Sequence, residues 1–498
     1  MFRDNLRSPV PAGGVPTGPA GMAKLGLSCR AALGPILALT ALAGCALTPY
    51  GTRAESDRVA AAGGPYDKAP EKRDVPELPD SPTWSDVLRR AFLVNGDLEA
   101  SYFDWQAAFD RVEIASAYPN SRLMVGFSYM FSGGNMKAFD RSTFSFSPDS
   151  MQSLMLPNKV KQQGRVALDG ARAAGARFRG AKFELQKRVL SAWADYCLAA
   201  ERTRIEQERR DLASLALEAS KSRVNAGGLQ QDLLRAQVAL ESSDDALRRS
   251  RAELEGQRAM LNGLLAREPD APLRAPAAMP PPRPIAADDA TLLNAAVEQN
   301  PELEALARSV EGRSDALELA RLQWLPDINP TFSFTGTISQ AIGAGVMLPT
   351  TIRQIQGQIK EAGAMFRGAQ ASLRQASHDR AGSFVATLVA LRDAERQVNV
   401  FETRIIPPSE QLVSLTSQTY AAGAAGYLDM IEAQRTLLDA RLVLAEAKAS
   451  REKRLAELET LMGTDIETFA ATTTHNQPET RVPGGPEAGP IAKETHHE

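Results

Sequence analysis

Apolar positions along this chain change their period, and the same changes occur twice. After Ser81 and Thr83, residues Leu88, Phe92, Phe103 and Ile114 recur at helical spacing until Pro119. Leu123, Val125, Phe127, Tyr129 and Phe131 then alternate with Met124, Gly126, Ser128 and Met130; past Gly133-Gly134, Phe144 and Phe146 alternate with Thr143, Ser145 and Ser147. A period of two predicts strands, so about 121–156 reads as a β-hairpin. The pattern returns after Pro326. There Phe332, Phe334 and Ile338 alternate with hydroxyl residues, and Ile342, Ala344, Val346 and Leu348 alternate with Ala341, Gly343, Gly345 and Met347, a second hairpin at about 328–349. Long helices follow each hairpin. Leu233, Leu240, Leu247, Leu254 and Leu261 form an unbroken heptad, and Met430, Leu437, Leu444, Arg451 and Leu458 a second one broken by Arg451. Heptads specify left-handed coiled packing, and a helix from Gly228 to Ala266 would span roughly 55–60 Å. Gly227-Gly228 and the stretch 423–426 supply turns, so each half should contain a helical hairpin.

The halves are also alike residue by residue. Gly175-Ala-Arg-Phe-Arg-Gly-Ala181 returns as Gly363-Ala-Met-Phe-Arg-Gly-Ala369, with six of seven residues identical, and Met155-Leu-Pro157 returns as Met347-Leu-Pro349. Asn95-Gly-Asp-Leu-Glu-Ala100 answers Asn300-Pro-Glu-Leu-Glu-Ala305, and Asp232-Leu-Leu-Arg-Ala-Gln237 answers Asp429-Met-Ile-Glu-Ala-Gln434. Four matches in one order mean a duplicated unit of about 200 residues, far above the usual solenoid period of roughly 20–50. The first repeat is expected over 81–268 and the second over 287–465, joined by a Pro-rich linker at 269–286.

The N-terminus sets the compartment. Lys24 and Arg30 precede an apolar run, Ala31 to Ala43, ending in Leu42-Ala43-Gly44-Cys45, which predicts a signal peptide over 1–44, with Met1 or Met22 as its start. Cys45 directly after Leu-Ala-Gly resembles the bacterial lipobox, which implies acylation at Cys45, and Ala46 behind it implies outer-membrane delivery. Residues 45–80, rich in Gly, Pro and charge, read as a lipidated tether, and 466–498 as a disordered tail. With Cys29 removed and Cys45 acylated, Cys197 is left as a small core residue without a disulfide partner.

Composition removes other classes. The 498 residues carry 57 Lys and Arg against 60 Asp and Glu without a dominant basic block, so no nucleic-acid partner is expected. The four histidines are His378 and three in the tail, with no zinc-type spacing, phosphate loop or nucleophile–base grouping; no enzyme activity, cofactor or resident metal is expected. What remains is the strands. Phe144-Ser-Phe-Ser and Phe332-Ser-Phe-Thr put aromatics on one face and small hydroxyls on the other, which suits a transmembrane barrel wall better than the alternative, two hairpins packed on a soluble core. Lipid would meet Phe127, Tyr129, Phe144, Phe146, Phe332, Phe334 and Val346.

Taken together, the duplicated helix–hairpin–helix–helix halves behind a lipobox resemble the TolC-like outer-membrane efflux factors over about 81–463. The pieces that carry the likeness are Pro157-x-Lys159 with its Ala-rich helix, and Tyr420, Gly423, Asp429, Glu432, Ala433 and Gln434. The resemblance implies a mainly α fold with a small β part, long coiled-coil helices forming a periplasmic α-barrel, and four strands per chain contributed to a trimeric 12-stranded transmembrane β-barrel. It implies a homotrimer in the outer membrane extending into the periplasm, working with a periplasmic adaptor (membrane fusion) protein and an inner-membrane pump as the exit duct of a tripartite efflux or type I secretion system. It also implies a periplasmic gate ringed by Asp429 and Glu432 and held through Tyr420 and Asp232. Ala425 stands where the founding member has an arginine, so that lock must be weaker or replaced. The alternative is a lipid-anchored coiled-coil adaptor that does not conduct; four strands with apolar outer faces, about long enough to cross a bilayer when tilted, argue against it. No cargo can be read from a passage lined by Ser, Thr and other small residues.

Overall fold

A computed structural model describes residues 47–466 apart from 70–71, 80, 119–122, 132–135, 149–154, 228, 284, 286–287, 338 and 423–425. The signal, Cys45, Ile338, Gly423, Ala425 and the tail beyond Ile466 therefore lie outside the described residues. The chain is mostly helical. Helices α1 (Thr52–Gly63), α2 (Trp84–Val94) and α3 (Gly96–Ser116) lead to strands β1 (Leu123–Tyr129) and β2 (Ser142–Pro148), then α4 (Pro157–Asn225) and α5 (Gln230–Leu264). The second round is α6 (Asp289–Gln299), α7 (Pro301–Leu322), β3 (Asp327–Thr335), β4 (Ser339–Met347), α8 (Ile352–Val400), a π-helical turn at Phe401–Ile405, α9 (Ile406–Ala421) and α10 (Tyr427–Met462). Both hairpins fall inside the expected windows or within a residue of them, although β1 and β2 have only seven residues each, short of the roughly 9–11 that a tilted strand needs to cross a bilayer.

The single helix expected ahead of each hairpin is two. A Thr83–Asp86 capping box starts α2, and the run then breaks at Asn95, whose extended backbone lets its side chain accept from the Leu98 N–H at 3.1 Å and cap α3. Asn300 does the same for α7, accepting from Glu302 and Leu303 at 2.9 Å, with Pro301 in the first turn. The duplicated Asn-x-x-Leu-Glu-Ala motif is thus a helix start.

The spine is α4, whose 69 residues reach about 100 Å. Its first half packs against α3 and α7, and its second half against α5 and α10. Aromatics fill the first of these contacts: Trp105 stacks on Phe178 at 5.6 Å, with Tyr102 edge-on to both. Gly175 makes room, since a Cβ there would fall 2.8 Å from the Trp105 ring. Leucine heptads turn inward, Leu247 and Leu261 becoming buried on α5, and Leu437 and Leu458 on α10. A core around Val189, Trp193 and Leu261 serves the first repeat; one around Phe384, Leu391 and Leu458 serves the second.

Two segments expected to be loose are docked. The stretch assigned as a tether begins with a Leu47 N–H bond to the Ser116 carbonyl at 2.9 Å, forms α1, buries Val59 and Tyr66, and stacks Tyr66 on Tyr102 at 4.9 Å. Buried Glu55 accepts from Trp105 Nε1 at 3.0 Å, and the Arg73 guanidinium grips the Glu99 carboxylate with both Nη atoms, one at 2.8 Å. The Pro-rich linker is held as firmly. Leu273 enters the first core, and Arg283 lies over the Trp84 ring while pairing with Glu452 at 3.1 Å and Glu459 at 2.9 Å. Arg451 explains the broken heptad, since its buried guanidinium donates to the Arg283 carbonyl at 2.7 Å and to Glu395 at 3.0 Å. A leucine there would forfeit both bonds.

Candidate functional site

The strands form one antiparallel sheet in the order β1-β2-β3-β4. Side chains of paired residues share a face, so the register decides which expectations fall together. Phe127 pairs with Phe144, Phe144 with Phe334, Phe146 with Phe332, and Ile328 with Val346. Tyr129, in phase with Phe127, completes the set, so all seven residues expected to meet lipid lie on one face. Phe127 and Val346 are 62% and 58% exposed, as an uncovered apolar face would be. Ring contacts knit it together, Phe127 to Phe144 at 5.1 Å and Phe146 to Phe334 at 6.2 Å. The other face carries Gly126, Ser145, Thr143, Ser333, Thr335 and Gly343, with the Thr143 and Thr335 hydroxyls 2.9 Å apart. Among the described residues β1 and β4 each have one neighbour, which leaves two open edges.

The junction of sheet and helices is fixed by a residue singled out in sequence only as part of a motif. Lys159, 1% exposed, donates from Nζ to the Leu325 carbonyl at 2.9 Å and to Asp327 Oδ1 at 2.8 Å. It ties the start of α4 to the start of β3, one repeat to the other. At the far side of the sheet, Asp140 Oδ1 accepts from the Thr337 N–H and hydroxyl, both at 2.7 Å, and Gly336 at φ +48° passes so close that a Cβ would fall 2.3 Å from the Asp140 Cα.

At the opposite end of the helices, the α4–α5 and α9–α10 tips lie together. Ile431 and Arg435 of α10 share a groove with Ala213 and Ala216 of α4 and Ser242 of α5, and Arg209 pairs with Asp439. Asp429 and Glu432 are exposed near the start of α10, and their i, i+3 spacing places both on one helix side. Asp429 has a structural duty as well, since its carboxylate accepts from the Gly426 N–H at 3.0 Å and caps α10. Asp232 occupies the first turn of α5, 3.9 Å from Arg235 on the same helix, and Tyr420 stands at the end of α9. Among the described residues no group of three or more His, Cys, Asp or Glu is placed to hold a metal ion. Cys197 is buried, its thiol pushed up to about 12 by desolvation. No described helix is long and apolar enough to cross a membrane.

The second repeat, residues 292–464, matches the model of the outer membrane efflux protein family. A curated relative, the cobalt-zinc-cadmium resistance protein CzcC of Cupriavidus metallidurans, is 23% identical over 292 residues, 54% of this chain and 65% of that protein's length. Among solved structures, the fold is similar to VceC of Vibrio cholerae (TM-score 0.62, 16% identity, 77% of this chain and 96% of that one). It is likewise similar to the open state of the Neisseria gonorrhoeae MtrE channel (0.62, 18%, 77% and 89%) and to the Campylobacter jejuni CmeC channel (0.61, 15%, 80% and 90%). The fold is that of outer-membrane efflux channels, with a helical part and a β part.

Proposed function

We propose that this chain, an outer membrane efflux protein by the domain in its second repeat and by its fold, is the exit duct of an efflux system, assembled from three copies. One observation carries the reading: a four-stranded sheet with an apolar, exposed face and two open edges. Unpaired backbone groups are not tolerated in lipid, so the edges must be closed by other copies. Two copies supply eight strands, a barrel size that side chains usually fill; three supply twelve, with room for a passage. The aromatic face then meets lipid and the hydroxyl face meets water. The helices carry the passage away from the membrane towards an adaptor protein and an inner-membrane pump.

Acylation of Cys45 would secure the docked N-terminal segment to the same membrane, because Leu47 lies beside Ser116, just below the sheet. The name of the curated relative supports metal cations as cargo; Asp429 and Glu432, repeated three times around a closing tip, would favour cations of any kind. Native mass spectrometry in mild detergent and conductance in a planar bilayer test the assembly. Trimers that form discrete cation-preferring channels are expected, and a monomer or a silent bilayer would defeat the reading. Mass analysis of the mature N-terminus checks the acyl group.

A further inference from the structure

Just below the sheet, one side of α4 carries a stripe of bases. Lys161, Arg165 and Arg172 stand four and seven residues apart, which sets them along a single helix face. That face borders an open cleft of about 500 Å³ between α4 and α7. From α7 come two acids, Glu311 and Asp315, and the N-terminal segment adds Tyr50, which is 99% exposed. Pro49 lies against α4 at Gly164. The segment that leads back to Cys45 therefore runs along the cleft, and an acyl chain on Cys45 would leave on the same side.

The charges are graded along the cleft. Away from the sheet, Arg172 donates to buried Asp169 at 3.2 Å, so that end is neutralised internally. In the middle, Arg165 pairs with Asp315 at 3.2 Å but keeps 52% of its side chain exposed. Glu311, one turn beyond Asp315, pairs with Arg308 at 2.7 Å and is 53% exposed. At the sheet end, exposed Lys161 makes no ion pair among the described residues. The depth of these groups is set by Lys159, whose bond to Asp327 marks the first residue of β3 and the foot of the sheet. At 1.5 Å per residue, Lys161 lies about 3 Å and Arg165 about 9 Å farther along α4. The polar layer of a bilayer is about 5–8 Å deep on each side. The cleft therefore opens into that layer with its free base nearest the hydrocarbon and its acids farther out.

We propose that this cleft binds the head of a zwitterionic phospholipid of the periplasmic leaflet. Lys161 and Arg165 meet its phosphate, and Glu311 and Asp315, beside the Tyr50 ring, meet its ammonium. The order of charge carries the assignment. In such a lipid the phosphate follows the glycerol and the amine lies outermost, so a head entering from the bilayer presents anion first and cation second. The cleft presents base first and acid second. Charge-assisted bonds hold the phosphate, and a tyrosine face favours the cation. A glycerol head offers the acids no cation, and a lipid without a head offers the cleft nothing.

This inference rests on the outer-membrane duct reading, and one preparation separates the two. The full-length protein is stripped of lipid in mild detergent. Phosphatidylethanolamine, phosphatidylglycerol or diacylglycerol is then added and adducts are counted by native mass spectrometry, with bilayer conductance recorded in parallel. Phosphatidylethanolamine should bind once per chain and at least fivefold more tightly than the other two. Lys161→Gln should lower that affinity fivefold or more, and Glu311→Gln should erase the preference over phosphatidylglycerol. Arg353→Gln, at an exposed base on α8, should change neither, and circular dichroism checks that each variant folds. Equal binding of the three lipids, or the same loss in Arg353→Gln as in Lys161→Gln, would mean ordinary surrounding lipid and overturn the site. Inorganic phosphate or soluble phosphoethanolamine competing as well as the lipid would make it a site for soluble anions and overturn the lipid. A protein that neither forms trimers nor conducts defeats the duct reading; conducting trimers without a head preference defeat the cleft alone.

Discussion

Gly175 and Gly363 hold the same place in the duplicated seven-residue motif, yet the structure assigns them opposite responses to one added methyl group. At Gly175 the new Cβ would sit 2.8 Å from Trp105 Cε2 and Nε1 and 3.0 Å from Cζ2. A rigid ring cannot fold away, so Trp105 or the helix must move. Overpacking of this kind costs about 1–3 kcal/mol. If the indole tilts, its 3.0 Å bond to buried Glu55 goes too, and a bond to a carboxylate contributes about 1.5–3 kcal/mol. Helix propensity returns about 1 kcal/mol on replacing glycine by alanine, which leaves Gly175→Ala destabilised by about 1 kcal/mol if the ring only shifts and about 3 kcal/mol if the bond to Glu55 is lost as well. At Gly363 the nearest atom is Leu317 Cδ1 at 3.9 Å, ordinary contact, so Gly363→Ala keeps the propensity gain. Thermal unfolding followed by far-UV circular dichroism in detergent should move down for the first variant and slightly up for the second. Limited proteolysis should also cut the 47–66 segment faster in Gly175→Ala. Equal shifts, or a Gly175→Ala protein as stable as wild type, would refute the packing argument.

Other outcomes follow from the same structure. Phe332→Arg places a charge on the apolar sheet face at about 2–4 kcal/mol per subunit and should impair membrane assembly, whereas Ser333→Arg on the opposite face should not; heat-resistant oligomers on gels report both. Asp429→Asn with Glu432→Gln keeps an acceptor for the α10 cap but removes the charge, so bilayer recordings should show weakened cation preference and weaker block by divalent ions. The Arg73 hydrogen bond holds the Glu99 carboxyl below the usual carboxylate range. Its hold on the N-terminal segment is complete above that range and fades as pH falls through the depressed value. Proteolysis of residues 47–78 should rise on acidification in the wild type, and Glu99→Gln should flatten that dependence.

Period and repetition made the hairpins, the long helices and the duplication legible, because each depends on side chains that recur on one face. The docked N-terminal segment was not legible for the opposite reason. Its anchors, Glu55, Val59, Tyr66 and Arg73, stand four, seven and seven residues apart, but the helix ends at Gly63 between them, and each acts through a partner far along the chain. The Pro-rich linker misled in the same way: Arg283 reads as a surface charge until Glu452 and Glu459 arrive from α10. Burial pushes the Glu459 carboxyl up while Arg283 opposes it, a contest no local pattern encodes. Asn95 and Asn300 match as letters in the sequence, but their capping role appears only in the structure, where the helices break there.

The two helical hairpins, alike in sequence, are unequal as springs. α4 runs unbroken for 69 residues, so the first hairpin bends only as a uniform rod. The second has a soft joint. Pro407 and Pro408 cannot donate to the carbonyls one turn back, and the helix answers with the π-helical turn at Phe401–Ile405. Bending of the second hairpin is therefore easiest near residues 401–408, a joint that α4 lacks. The compliance of the tip is thus set some twenty residues away from the acidic side chains that it carries.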